Sequence, residues 1–264
     1  MTAALCVVFL VSGAAALIFE TLWFRQSGLA LGNTVWASAL VTASFMAGLA
    51  IGNAAVARWG RRARRPLLAY AALELVVAST GLALVVVIPR VGHALAPLMG
   101  TLGSPALNGL RVVLAFLLLL IPSSATGATL PLLASALSAR DGNFGRVLGR
   151  LYGWNTFGAF LGTLASDLVL IEAVGIQRTA MVAGALNLVA AGAAARLAPQ
   201  FAAQQPASAS HEKIRLRSTA WQTLAAAFLA GGILLALEVV WFRFMVSFTP
   251  ASAWTFAADR KSVV

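Results

Sequence analysis

Residues 66–89 read PLLAYAALELVVASTGLALVVVIP, an apolar run that starts and ends at proline and carries one charged side chain, Glu74. A helix needs about 20 apolar residues to cross the roughly 30 Å hydrocarbon core of a bilayer. Because prolines often stand at helix ends, this run predicts a spanning helix over 67–88. Similar runs predict six further helices, at 3–25, 34–57, 111–139, 150–171, 178–197 and 219–246. The helix at 111–139 is expected to be interrupted around Pro122 and Pro131.

The composition supports a membrane environment for these helices. The chain has 264 residues, of which 60% are hydrophobic and 10% are charged. A soluble domain carries about 25% charged residues, and almost no stretch longer than a loop is polar enough to face water. A soluble helical bundle is therefore excluded. The sequence predicts an all-α, polytopic membrane helical bundle whose surroundings are the lipid bilayer.

The net charge of +11 raises the question of nucleic-acid binding. The arginines lie between apolar runs, where basic residues fix the orientation of a membrane protein, so no nucleic-acid partner is expected. Cys6 is the only cysteine, which excludes an internal disulfide. The sequence shows no metal-ligand spacing, nucleophile triad or phosphate-binding loop, so no metal or catalytic residue is predicted.

The distribution of basic residues predicts a multi-pass protein of the cell membrane with a cytoplasmic amino terminus. With that orientation, the cytoplasmic segments hold Arg58, Arg61, Arg62, Arg64, Arg65, Arg140, Arg146, Arg150, Arg196, Lys213, Arg215 and Arg217. The opposite side holds only Arg25, Arg90, Arg111, Arg178 and Arg243.

One internal repeat predicts the domain plan. The motif E-x-x-W-F-R occurs at 20–25 and again at 238–243. A second copy after six helices is typical of the two parallel halves of major-facilitator transporters. We therefore predict a six-helix first half at 1–197, a cytoplasmic linker at 198–217 and the first helix of a second half at 218–258.

Ionisable groups inside apolar helices are the candidate functional residues, because burying a charge in a bilayer is costly. The candidates for an intramembrane polar or substrate pathway are Glu20, Glu74, Asn155, Asp167 and Glu238. Arg25 and Arg243, about one turn beyond Glu20 and Glu238, are candidate charge partners. Two interpretations stay open: the acids draw a cation into a vestibule, or they are neutralised staples between helices.

Glycines at four-residue spacing predict close helix packing, since a missing Cβ lets two backbones approach. The predicted packing positions are Gly48, Gly52, Gly149, Gly153, Gly158 and Gly162.

Several motifs together resemble the fused major-facilitator/spermidine-synthase family. They are FLVSG at 9–13 followed by Glu20, FMAGLAIG at 45–52, Pro66 to Glu74, PSSATGATLPLL at 122–133 and GRLYGWNTFGA at 149–159. They occur in the expected order and cover roughly residues 9–190. The chain departs from the family at Ala57, where an aspartate is usual, and at Asp167 and Glu172, where apolar residues or proline are usual.

The resemblance implies a membrane domain followed by a cytoplasmic spermidine-synthase-like domain with a Rossmann-type fold. That domain would bind decarboxylated S-adenosylmethionine and transfer an aminopropyl group to putrescine. None of its motifs occurs in this chain, so neither a catalytic residue nor a cofactor is assigned to the chain itself.

Three functions follow as hypotheses. The leading one is the membrane domain of a spermidine-synthase-like fusion protein that handles or transports a cationic polyamine. The alternatives are a small-solute transporter of the major-facilitator type and a passive membrane anchor. The expected partners are the bilayer, a polyamine or other small cation, and a missing second half or a homodimer partner.

The carboxyl-terminal run at 259–264 reads DRKSVV, which can be reverse-translated into a common sequencing-adapter string. We therefore expect an incomplete gene product with a non-biological tail at 259–264. The alternative is a natural protein with a short basic tail.

Overall fold

The computed structural model describes residues 2–31, 35–59, 65–97, 104–141, 143–201 and 218–248, and within them it contains helices and no strand. The helices are Thr2–Leu31 (α1), Val35–Trp59 (α2), Pro66–Leu95 (α3), Ser104–Asp141 (α4), Phe144–Ala165 (α5), Ile171–Phe201 (α6) and Ser218–Phe248 (α7). A five-residue π-helix, Ser166–Leu170, joins α5 to α6. The chain forms two compact units, Met1–Ser208 and Ala209–Val264, and α1 to α6 belong to the first.

Among the described residues, five helical segments are long and apolar enough to cross a membrane: Thr2–Gly28, Ala39–Arg58, Pro66–Leu95, Pro105–Leu137 and Phe144–Phe201. In the second unit, Trp221–Leu237 is a shorter apolar segment. The all-α prediction is confirmed, and the segments are compatible with a membrane bundle. The linker and the tail predicted at 198–217 and 259–264 lie largely or wholly outside the described residues.

The direction of α1 to α6 follows from two clusters of buried apolar side chains. The amino-end cluster contains Leu5, Leu67, Leu133, Leu151 and Ala194. The far-end cluster contains Phe19, Leu40, Leu84, Leu119 and Ala183. Within the first unit, α1, α3 and α5 therefore start at the amino end, and α2, α4 and α6 start at the far end.

The 58-residue segment Phe144–Phe201 folds back on itself. Its start and its end both lie in the amino-end cluster, while Leu170 and Ile176 pack against the far-end cluster. The reversal occurs where Gly175 has φ 79° and ψ 170°. Glycine has no Cβ and so adopts this conformation at little cost.

Prolines inside α3 and α4 correct the predicted helix ends. The helix α3 continues past Pro89 to Leu95, and α4 runs through both Pro122 and Pro131 without the predicted interruption. In α4, hydroxyl groups next to the prolines donate to backbone carbonyls, as from Ser123 to Leu119 and from Thr126 to Pro122. Such side-chain bonds help a proline-containing helix to satisfy its backbone in a membrane.

The helix contacts follow an internal exchange pattern. Helix α1 packs against α5 and α6, and α4 packs in the same way against α2 and α3. If α1, α2 and α3 exchange places with α4, α5 and α6 respectively, these pairings are unchanged. The two groups of three helices run in opposite directions. The extensive contact between α1 and α3 has no counterpart of similar extent between α4 and α6.

Reciprocal glycines form the α2–α4 and α1–α5 interfaces. A Cβ at Gly52 would overlap the carbonyl oxygen of Ser124, and a Cβ at Gly127 would overlap that of Leu49. In the other interface, Gly158 faces the carbonyl of Leu10 and Gly13 faces that of Asn155. Each of these four glycines thus meets the residue that lies three positions before the glycine facing it on the other helix. We call these two interfaces the glycine seams.

The remaining predicted packing glycines divide into two groups. Gly48 lies against Ser123, and Gly162 lies against the backbone of Ala14. Gly149 and Gly153 depart from the prediction, because no described atom lies within 4 Å of a Cβ built at either position. The packing role predicted for Gly149 and Gly153 is therefore not seen in the described part of the chain.

Candidate functional site

The α1–α3 interface contains several buried polar side chains that bond from one helix to the other. Three hydrogen bonds cross it: Ser12 Oγ donates to Glu74 Oε1 at 2.5 Å, Trp23 Nε1 to the Gly81 carbonyl at 3.4 Å, and Gln26 Nε2 to the Val85 carbonyl at 2.9 Å. The two helices run parallel, so partners succeed one another in the same order along both. The α1–α3 contact, which has no counterpart of similar extent between α4 and α6, is thus held by polar groups.

Aromatic packing sets the spacing of this interface. The rings of Phe19 and Trp23 stack with centroids 5.5 Å apart and an interplanar angle of 13°. Gly81 provides the space, because a Cβ there would come within 3 Å of the Phe19 ring. Trp23, 2% exposed, is a core residue rather than an interfacial anchor.

Glu74 is the one acid with a fully buried side chain among the described residues, at 1% exposure. Tyr70 precedes it by one helical turn, so both side chains share the face of α3 that meets α1. The Tyr70 hydroxyl lies beside Ser12 and Glu74, although it makes no hydrogen bond of normal geometry with a described group. The Tyr70 ring meets Phe9 edge-on at 6.4 Å. Ser12, Tyr70 and Glu74 form the buried carboxyl cluster.

The chemistry open to this cluster is limited by its surroundings. The side chains that act on Glu74 are the hydroxyls of Ser12 and Tyr70, and the shell around them is apolar. An isolated carboxylate is costly in such a shell, whereas a carboxyl group that holds a proton is not. The cluster is thus suited to holding a proton or joining two helices, and it is closed to a large cation. No group of three potential metal ligands occurs among the described residues.

Other polar side chains lie between the two apolar clusters. Asn187 of α6 is 1% exposed, and neither of its side-chain polar atoms has a partner among the described groups. It falls between Ala183 of the far-end cluster and Ala190 of the amino-end cluster, as Glu74 falls between Ala71 and Val77. Buried amides without partners are rare and usually indicate ordered water.

The remaining sequence candidates lie elsewhere. Glu20 is half-buried on α1, about 12 Å along the helix from Ser12, so it is not part of the buried carboxyl cluster. Arg25 and Asp167 are exposed at the far end, where Arg25 attracts Asp167. Asn155 is half-buried in the α1–α5 seam. The side chains of Glu238 and Arg243 lie outside the described residues, so the predicted equivalence of Glu20 and Glu238 stays a prediction.

Sequence reasoning identified Glu74 but missed Ser12, Tyr70, Gln26 and Asn187 as buried polar residues. The burial of Asn187 could have been predicted from the residues around it in the sequence. It is the amide on a buried face that consists mainly of alanine and glycine, at positions 180, 183, 184, 190, 191 and 194. A polar residue at such spacing in an apolar helix marks a buried face with a polar contact.

The chain matches three curated proteins named polyamine aminopropyltransferase, from two strains of Mycobacterium tuberculosis and one of Mycobacterium bovis. Each is 29% identical over 184 residues, which are 68% of this chain and 32% of the relative. The chain thus spans about a third of the length of these relatives. No family model matches the chain. No solved structure matches it either.

The matched segment of 184 residues is longer than the unit Ala209–Val264, so most of it falls in the unit that contains α1 to α6. The similarity is therefore mainly a similarity of apolar helices. The comparisons support the aminopropyltransferase part of the predicted resemblance, and its major-facilitator part stays a prediction.

Proposed function

We propose that this chain is the membrane domain of a polyamine aminopropyltransferase-like protein and that it handles the cationic polyamine at the membrane. The observation that carries the proposal is the match to proteins of that name in a region that consists of membrane-length helices. The described residues contain no strand from which a nucleotide-binding sheet could be built. Catalysis in such a protein would belong to residues beyond these helices.

The distribution of acids supports a role with cations. Glu20, Asp167 and Glu172 lie at the far end of the first unit, and Asp167 and Glu172 are exposed there. Carboxylates at one end of an apolar bundle raise the local concentration of a polyamine by electrostatic attraction. Glu20 is the half-buried member of this group, so it is the position that we change in the test.

Transport is the second candidate, and the internal exchange pattern favours it. Inverted three-helix repeats occur within each half of major-facilitator transporters, with substrate sites at repeat interfaces. The pairing of α1 with α5 and of α4 with α2 has the form expected of such a repeat. A passive anchor needs no such pattern.

The decisive experiment uses the gene cloned with its downstream sequence and expressed in a strain without its own spermidine synthase. Membranes are expected to convert radiolabelled putrescine and decarboxylated S-adenosylmethionine to spermidine. In liposomes containing the same protein, Glu20→Gln is expected to lower polyamine binding or uptake about tenfold. The control is Arg196→Gln, which changes an exposed charge at the amino end. Uptake without aminopropyl transfer would favour the transporter, and insertion with neither activity would favour the anchor.

Orientation can be tested separately, because Cys6→Ser removes the only cysteine of the chain. In that background, Arg61→Cys and Lys213→Cys are expected to react with a membrane-impermeant maleimide only from the cytoplasmic side. Arg178→Cys, at the far end, should react only from outside. Positions 61 and 213 lie outside the described residues, so labelling is the direct measurement. Labelling of these two cysteines from opposite sides would refute the predicted topology.

A further inference from the structure

A groove of about 320 Å³ runs along the first turns of α5, and its described walls are Gly149, Arg150, Gly153, Trp154 and Phe157. No described atom lies within 4 Å of a Cβ built at either glycine. A glycine inside a helix costs about 1 kcal/mol relative to alanine. The two glycines stand one turn apart and leave a shallow surface on α5 that no described helix fills.

The charge at the start of α5 indicates what kind of occupant fits. Arg146 and Arg150 are exposed and stand four residues apart on one helical face. Like charges at this spacing repel each other, so an anion between them is stabilising. The positive end of the helix dipole lies at the same place, because α5 begins at Phe144 with Asn143 as its cap.

The face beyond the arginines is apolar and continues along the helix. Its exposed side chains follow helical spacing: Trp154 (44% exposed), Phe157 (51%), Leu161 (42%) and Leu164 (41%). Trp154 to Leu164 extends about 15 Å, which is half of a hydrocarbon core of roughly 30 Å. Along this face of α5, the two arginines come first and the glycine groove follows. The apolar stripe comes last and is as long as one leaflet.

We propose that this face of α5 is a binding site for an anionic glycerophospholipid of the surrounding bilayer. Arg146 and Arg150 hold the phosphate of the headgroup, and one acyl chain lies in the groove that Gly149 and Gly153 leave open, against Trp154 and Phe157. Basic grooves on the cytoplasmic side of membrane proteins bind anionic headgroups by the same electrostatics. The proposal requires only that α5 lies in the bilayer, and it is independent of aminopropyl transfer.

The test is lipid binding by the purified full chain in detergent, measured by native mass spectrometry and by the rise in melting temperature with added lipid. Each variant must first elute as a single symmetric peak. The wild type is expected to prefer phosphatidylglycerol to phosphatidylcholine. Arg150→Gln is expected to reduce that preference about fivefold, the effect of losing one basic residue near a membrane surface. Arg178→Gln, an exposed arginine at the far end, is the control and should leave the preference unchanged.

Gly153→Leu provides a second variant that keeps both arginines but fills the groove. It is expected to lose phosphatidylglycerol binding while keeping the melting temperature of the lipid-free protein, since nothing described packs at this position. Equal lipid preference in the wild type, Arg150→Gln and Gly153→Leu would overturn the proposal. Cross-linking of Phe157→Cys, in the Cys6→Ser background, to a protein helix would overturn it too, because the groove would then hold a helix and not a lipid.

Discussion

Replacing Gly158 by alanine is expected to destabilise the helix bundle by about 2–3 kcal/mol, although alanine is the better helix former. The new Cβ would overlap the carbonyl oxygen of Leu10 in the α1–α5 seam. The overlapped atom belongs to the backbone, so α1 and α5 would have to separate. Gly52→Ala should have an equal effect in the α2–α4 seam, where the Cβ meets the Ser124 carbonyl.

The two seams share no residue, so the effects of Gly52→Ala and Gly158→Ala should add to about 5 kcal/mol. That is comparable with the whole stability of many proteins. The matched control is Gly192→Ala on α6, where a Cβ meets no described atom within 4 Å. Denaturant titrations in mixed micelles, followed by fluorescence of the seven tryptophans, measure these differences. Equal stability of Gly158→Ala and Gly192→Ala would contradict the seam geometry.

Glu74→Ala is expected to cost about 2–5 kcal/mol, because it leaves a cavity and removes the acceptor of the Ser12 hydrogen bond. Glu74→Gln keeps the volume and a carbonyl oxygen that can accept from Ser12 Oγ, so its stability should stay within about 1 kcal/mol of the wild type. Tyr70→Phe is a control for the loss of a hydroxyl in the same cluster. Since the Tyr70 hydroxyl has no bond of normal geometry to a described group, its removal should change stability little.

The same variants separate a structural from a proton-carrying role for Glu74. If Glu74 only joins α1 to α3, it needs only an oxygen that accepts the Ser12 hydrogen bond. Glu74→Gln would then keep both the stability of the wild type and its polyamine uptake. A proton carrier needs the ionisable group, so Glu74→Gln would fold normally and lose uptake. Stability of Glu74→Ala equal to that of the wild type would show that the Ser12–Glu74 hydrogen bond does not hold the helices together.

The length of the apolar runs was sufficient to predict the helical class, because a backbone surrounded by lipid must satisfy its own hydrogen bonds. Glu74 could be identified because an acid in an apolar run is costly wherever it lies. Glycine spacing was insufficient to predict which glycines make helix contacts. Gly158 lies in a seam, whereas no described atom lies within 4 Å of a Cβ at Gly149 or Gly153, although the spacing is the same. The spacing predicts that a helix can be approached closely, and only the fold determines which helix comes near.

Two further features depend on tertiary structure. Pro122 and Pro131 predicted a break, but α4 continues through both. Around Pro122, the hydroxyls of Ser123 and Thr126 donate to the carbonyls of Leu119 and Pro122. The partner of Glu74 could not be found from sequence, because Ser12 lies 62 residues away and each residue separately suits a helix interior. Neither local propensity nor hydropathy carries information about which helices lie side by side.

The reciprocal geometry of the glycine seams has a consequence for how this protein can change over evolutionary time. Each seam ties one glycine to a backbone position on another helix, so an enlarged side chain at Gly52 can be tolerated only if the helix around Ser124 moves away. The same holds for Gly127 and Leu49. Among homologous sequences, positions 52 and 127 should therefore stay small together, because a side chain at either one separates the same two helices. Positions 13 and 158 should show the same restriction in the α1–α5 seam.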